Sequence, residues 1–105
     1  MKIWKYELRI EDHQQISCGS HDVRPLSVGE QGGKLVMWAR VFENSDLLDL
    51  ITGLPANYEN CIEVDIVGTG RPYDGDMRDF IGTVVMSYGL VWHVFARAKV
   101  INRRR

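Results

Sequence analysis

Along most of this chain apolar and polar residues alternate with a period of two, the signature of strands with one buried and one exposed face. From Ile3 to Ile10, Trp4, Tyr6, Leu8 and Ile10 fall on one side, and Ile3, Lys5, Glu7 and Arg9 on the other. Gln14–Ser17 reads as a short edge strand. Val23–Val28 reads as a weak one broken by Pro25, which cannot donate to a ladder and belongs at an edge or a bulge. Lys34–Phe42 alternates strongly and pairs with Val23–Val28 across the turn at Gly32-Gly33. Cys61–Val67 resumes the pattern. The strongest element is Phe80–Ala98, where two β-rich runs, Phe80–Met86 and Leu90–Ala96, meet at Ser87-Tyr88-Gly89. In its second run Leu90, Trp92, Val94 and Ala96 share one face, and Val91, His93, Phe95 and Arg97 the other. Both faces carry apolar groups, so this hairpin is expected to be central in its sheet or covered on both sides.

Asn44–Pro55 departs from the alternation. Ser45 or Asp46 can cap a helix, Leu47, Leu48, Leu50 and Ile51 give it an apolar side, and Gly53 and Pro55 can end it. A two-turn helix near 46–52 is the expectation, with a loop as the alternative. The result is an α+β domain, predominantly antiparallel β, with five to six strands and one short helix. The absence of a repeat, a low-complexity tract or a composition break makes residues 1–105 one domain.

Composition changes this picture little. The chain has 105 residues, 45% hydrophobic and 26% charged, with a formal net charge of −1. That balance suits a folded protein and gives no bulk attraction to nucleic acid or acidic membranes. Apolar runs fall short of the roughly 18 residues that span a bilayer, and Met1–Lys5 lacks the apolar core of a signal peptide. Cys18 and Cys61 are therefore read as reduced thiols in a cytoplasmic protein. The two-sided apolar strands, with Val36, Trp38 and Phe42 and with Val91 and Phe95 needing cover, imply a homo-oligomer, a dimer or higher.

Candidate chemistry concentrates in Gly68-Thr69-Gly70-Arg71-Pro72, within the polar loop Gly68–Asp79. Two glycines beside a hydroxyl let backbone N–H groups turn toward an anion, and Arg71 can clamp phosphate or carboxylate. The plainer reading is a strand end, a turn and a solvated arginine, and neither standard phosphate-binding fingerprint is present. His93, mid-strand, suits a ligand hydrogen bond or simple packing. Arg40 and Arg97 complete the set of candidate ligand-binding residues. His13, Cys18 and His21 do not have a zinc spacing, and Asp74, Asp76 and Asp79 lack the Glu that closes a calcium loop. Catalytic residues, a metal and a cofactor are therefore not assigned.

The order of several pieces carries a resemblance. Lys2-Ile3-Trp4-Lys5-Tyr6 opens the chain, and Glu30-Gln31-Gly32-Gly33-Lys34 precedes Met37-Trp38-Ala39-Arg40-Val41. Gly68-Thr69-Gly70-Arg71-Pro72 follows, then Phe80-Ile81-Gly82-Thr83-Val84 and Gly89-Leu90-Val91-Trp92-His93-Val94-Phe95. Together they resemble a family of small, uncharacterised proteins encoded by phages and prophages. Here Asn44–Asn60 is longer than the family usually carries, and position 71 is Arg where His is common. The resemblance implies a small phage-borne protein of the bacterial host cytoplasm and no reaction. Joined to the loop chemistry, it gives three hypotheses. The first is a non-catalytic protein sequestering a small anionic nucleotide signal of host anti-phage defence. The second is an interaction module that inhibits a host enzyme, and the third a phosphodiesterase-type enzyme using His93.

Overall fold

The computed structural model describes residues 1–19, 21–42 and 58–102. They form seven strands: β1 (Lys2–Glu7), β2 (His13–Ser17), β3 (Asp22–Gln31), β4 (Lys34–Phe42), β5 (Tyr58–Gly68), β6 (Phe80–Val85) and β7 (Val91–Asn102). One 3-10 turn, Met77–Asp79, precedes β6. Every pairing is antiparallel, and the strands divide into two sheets, ordered β1-β4-β3 and β2-β5-β7-β6.

This corrects two expectations from the sequence. There are seven strands rather than five to six, because the short segment at Gln14–Ser17 and the weak one at Val23–Val28 both pair fully, as β2 on β5 and β3 on β4. The described residues are antiparallel β with a single 3-10 turn instead of α+β, and the helix expected near 46–52 lies outside them.

The turns follow from local chemistry. Gly32 and Gly33, at φ 61° and 79°, join β3 to β4, and a two-residue hairpin loop of this hand needs positive φ at both positions. Pro25 sits on the edge strand β3, where the register shifts between Pro25 and Ser27, as its missing N–H requires. The β6–β7 turn is tied to the other sheet: the Glu30 carboxylate accepts from the Ser87 N–H at 2.9 Å and from its hydroxyl at 2.7 Å. These bonds hold the Glu30 carboxyl below the usual carboxylate range.

The core lies between the sheets. Val23, Leu35, Met37 and Val41 of the first sheet meet Ile62, Val64, Ile66, Val84, Val94 and Ala96 of the second. The sheets come closest where β3 crosses β6: a Cβ added to Gly82 would stand 3.0 Å from Val28 Cγ2. β7 alternates as its sequence implies, with Trp92, Val94 and Ala96 toward the core and His93, Phe95 and Arg97 on the outer face. The hairpin is central only in part, since β7 is interior and β6 is an edge, with Val85 69% exposed. Trp4, opposite Ala39, shares the core-side face of Met37 yet is 45% exposed. Cys18 and Cys61 are buried and form no disulfide. Among the described residues no helix is long and apolar enough to cross a membrane.

Candidate functional site

The site is built where β5 runs past the end of β2. The last link between them is the Ile66 N–H donating to the Asp12 carbonyl at 3.2 Å. Beyond it one edge of β5 is unpaired, and alternation along the strand turns the Gly68 N–H toward that edge. A cleft of about 550 Å³ opens there, within the range that holds small ligands. Ile10, Glu11 and Asp12 form one wall, Arg71 to Asp74 the other, and Trp92 contributes from β7.

Each wall has a local cause. Between β1 and β2 the Gln14 side chain, buried at 5% exposure, imitates a strand partner. Its Oε1 accepts from the Arg9 N–H at 3.1 Å, and its Nε2 donates to the Arg9 carbonyl at 2.7 Å. The opposite wall begins as a four-residue turn closed by the Arg71 N–H on the Gly68 carbonyl at 3.1 Å. Gly70 occupies its third position at φ 85°, a conformation that favours glycine. Gly68 is less constrained, because a Cβ there would meet Trp92 and Arg71 only at ordinary contact distance.

The wall is then pressed onto the outer face of the second sheet. The Tyr73 ring stacks on Phe95 with centroids 4.2 Å apart, and Phe80 meets the same ring edge-on at 5.4 Å. Phe95 is thereby covered within its own chain, at 4% exposure, which removes one of the two apolar faces that implied an oligomer. A side chain at Gly75 would fall inside the Tyr73 ring, so glycine there lets the loop close. The 3-10 turn follows, capped by the Asp76 carboxylate, which accepts the Arg78 N–H at 2.9 Å and pairs with its guanidinium.

Asp65 is the hub beneath this wall. It accepts from His13 Nδ1 at 2.6 Å, the Tyr73 hydroxyl at 2.9 Å and the Arg97 guanidinium at 3.1 Å. Burial pushes its carboxyl up, but these donors and the charge of Arg97 prevail and hold it below the usual range. The Tyr73 phenol moves the other way, pushed up to about 12 by burial and by its bond to the Asp65 carboxylate. Arg97 also meets Glu63 at 3.2 Å and Asp79 at 3.6 Å.

The residues singled out from the sequence are only partly brought together. Gly68 and Arg71 line the cleft, and Gly70 shapes the turn beneath Arg71. Thr69 and His93 meet: the Thr69 hydroxyl lies 2.8 Å from Nε2, and the Thr83 hydroxyl 2.9 Å from Nδ1. Hydroxyls accept or donate as needed, so His93 is a satisfied clasp between loop and sheet. Its second partner is a hydroxyl, not the orienting carboxylate of an activated nucleophile–base pair. Arg97 is engaged by three carboxylates. Arg40 lies on β4, in the other sheet.

Sequence reasoning did not single out the acids Glu11 and Asp12 on the opposite wall, Asp74 beside Arg71 on its own wall, or the hub Asp65 as parts of one site. Asp65 left one trace: Glu63 and Asp65 put charge on a face of an otherwise apolar strand. Of the acids, Asp65 is compensated, and Glu11 meets Arg9 at 3.3 Å. Arg71 makes no ion pair among the described residues. The indole N–H of Trp92 is buried without an acceptor. Among the described residues no group of three or more His, Cys, Asp or Glu could hold a metal ion.

Fold and cleft define a small two-sheet antiparallel β protein with a mixed-charge, aromatic-lined cleft at a strand end. The chain belongs to the family described as Domain of unknown function (DUF7352), whose family model matches residues 1–104. No curated protein and no solved structure matches it.

Proposed function

We propose that this is a non-catalytic binding protein whose cleft takes a nucleoside-like ligand carrying a single phosphate, linear or cyclic. The observation that carries the reading is the placement of Arg71, without an ion pair, beside the Trp92 indole and opposite Asp12 in one cleft. Arg71 would hold the phosphate, the Gly68 N–H a further oxygen, and Asp12 and Asp74 the sugar hydroxyls or a base amine. The charge balance narrows the ligand. One guanidinium in a cleft also lined by Glu11, Asp12 and Asp74 suits one phosphate, and a triphosphate would meet repulsion.

The resemblance of the motif order to small phage and prophage proteins is the support for a phage-type role, the sequestering of a nucleotide signal of host defence in the bacterial cytoplasm. The cleft lies within one chain and needs no second copy. A phosphodiesterase has the least support, because His93 is held by two hydroxyls.

The test is a thermal-shift series of adenosine, AMP, cyclic AMP, ADP and ATP. A ligand at a hundred times its Kd adds about 2.7 kcal/mol of stability. AMP or cyclic AMP should raise the melting temperature, ATP less, and Arg71→Ala should remove the shift. Equal responses from wild type and Arg71→Ala, or none at millimolar ligand, would refute the assignment.

A further inference from the structure

We propose that the outer face of the β1-β4-β3 sheet is a docking surface for a protein partner that presents carboxylates beside apolar side chains. Strand register sets Arg24 of β3 directly opposite Arg40 of β4, with Ile3 of β1 on the other side of Arg40. Like charges opposite one another in a sheet are destabilising. Neither arginine forms an ion pair among the described residues. The Arg40 Nε is buried without an acceptor, and its guanidinium lies 4.9 Å from the centroid of Phe42. A buried donor left unpaired is costly to the isolated chain. An oxyanion arriving from outside would pair with the guanidinium charge of Arg24 and Arg40 and relieve their repulsion.

The same face states the partner's chemistry. Its charged residues are Lys5, Arg24, Lys34 and Arg40 against Glu7 and Asp22. Lys34 is neutralised by Glu7 at 3.3 Å, and Lys5 bonds Gln31. The face is therefore positive, although the chain's formal charge is −1. Ile3 is 61% exposed and Phe42 40%. Arginine beside aromatic and aliphatic groups is the composition of interface centres, and guanidinium binds carboxylate through two hydrogen bonds. A single-stranded nucleic acid fits less well, since it needs open aromatic faces for its bases. The Phe42 ring is occupied by Arg40, and the Trp38 ring lies on Gly29, 3.0 Å from where a Cβ would stand. This surface is separate from the cleft and stands whether or not the cleft binds a nucleotide.

The experiment is an amide NMR titration at physiological salt with a synthetic octapeptide of alternating Glu and Val. A Lys–Val twin and an eight-nucleotide oligothymidylate serve as the other arms. The Glu–Val peptide should shift Ile3, Arg24, Trp38, Arg40 and Phe42 saturably. Arg24→Gln should weaken it at least tenfold while raising the melting temperature of the free protein, because the opposed charge is gone. Several results would overturn the proposal: no saturable shift at millimolar peptide, equal response to the Lys–Val twin, or tighter binding of the oligonucleotide. The same shifts on concentrating the protein alone would assign the face to a second copy. A folded Arg24→Gln variant with a lower melting temperature would show that Arg24 serves the fold instead.

Discussion

Replacing Tyr73 by Phe removes one hydroxyl and leaves the ring on Phe95, so it isolates the bond to Asp65. That bond is 2.9 Å long and ends on a carboxylate, and hydrogen bonds to charged groups contribute about 1.5–3 kcal/mol. Asp65 keeps two other donors, His13 and Arg97, which brings the expected loss near pH 8 to about 1 kcal/mol. The pH dependence is more specific. The phenol's folded value of about 12 lies above the usual 10, so the stabilisation is complete below pH 10 and lost as pH rises toward 12. Two units correspond to a ceiling of about 2.7 kcal/mol, which solvent at this half-buried group reduces to roughly 1 kcal/mol. Tyr6, also pushed up to about 12 by burial and by Cys18, is present in both proteins and cancels. Urea unfolding of wild type and Tyr73→Phe from pH 8 to 12 should show the wild-type advantage shrinking above pH 10. An advantage that stays constant to pH 12 would mean that Tyr73 and Asp65 are not bonded.

Three further outcomes follow from the same contacts. Gly75→Ala puts a methyl into the Tyr73 ring, so it should lower stability by about 1 kcal/mol and abolish the nucleotide-dependent thermal shift; a normal shift would separate the loop from the site. Gly82→Val drives a side chain into Val28 where the sheets are closest and should cost about 1–3 kcal/mol in chemical denaturation, an unchanged midpoint refuting the contact. Asp65 has a folded pKa below its unfolded value, so the stabilisation it gives above about pH 4 is lost as pH falls. The stability gap between wild type and Asp65→Asn should accordingly narrow on acidification, and a gap that widens would reverse the assignment.

Local chemistry was legible in the sequence. Gly32-Gly33 marked its hairpin, Pro25 marked an edge strand with a bulge, and the alternation from Val91 to Arg97 sorted core from outer face correctly. What alternation leaves open is which strand pairs with which. Nothing near Arg9–Asp12 reveals that β1 joins β4 while β2 joins β5, because those registers close over long stretches of chain. The site inherited that limit. Gly68, Thr69 and Arg71 were visible as a turn, and Thr69 does meet His93. Asp12 becomes their neighbour only through the β2–β5 pairing, and Tyr73 covers Phe95 only because Gly75 leaves room. Arg40 and Arg97 drew notice as cations, but register sends one to the other sheet and surrounds the other with Glu63, Asp65 and Asp79.

The most direct measurement of the cleft assignment is an amide NMR titration of the wild-type protein with AMP and cyclic AMP. Binding in the cleft predicts saturable shifts of the Gly68 and Arg71 amides, the Asp12 amide and the Trp92 indole N–H, all with one Kd and all lost in Arg71→Ala. Shifts confined to Arg24, Trp38, Arg40 and Phe42, or no shift at millimolar nucleotide, would contradict it.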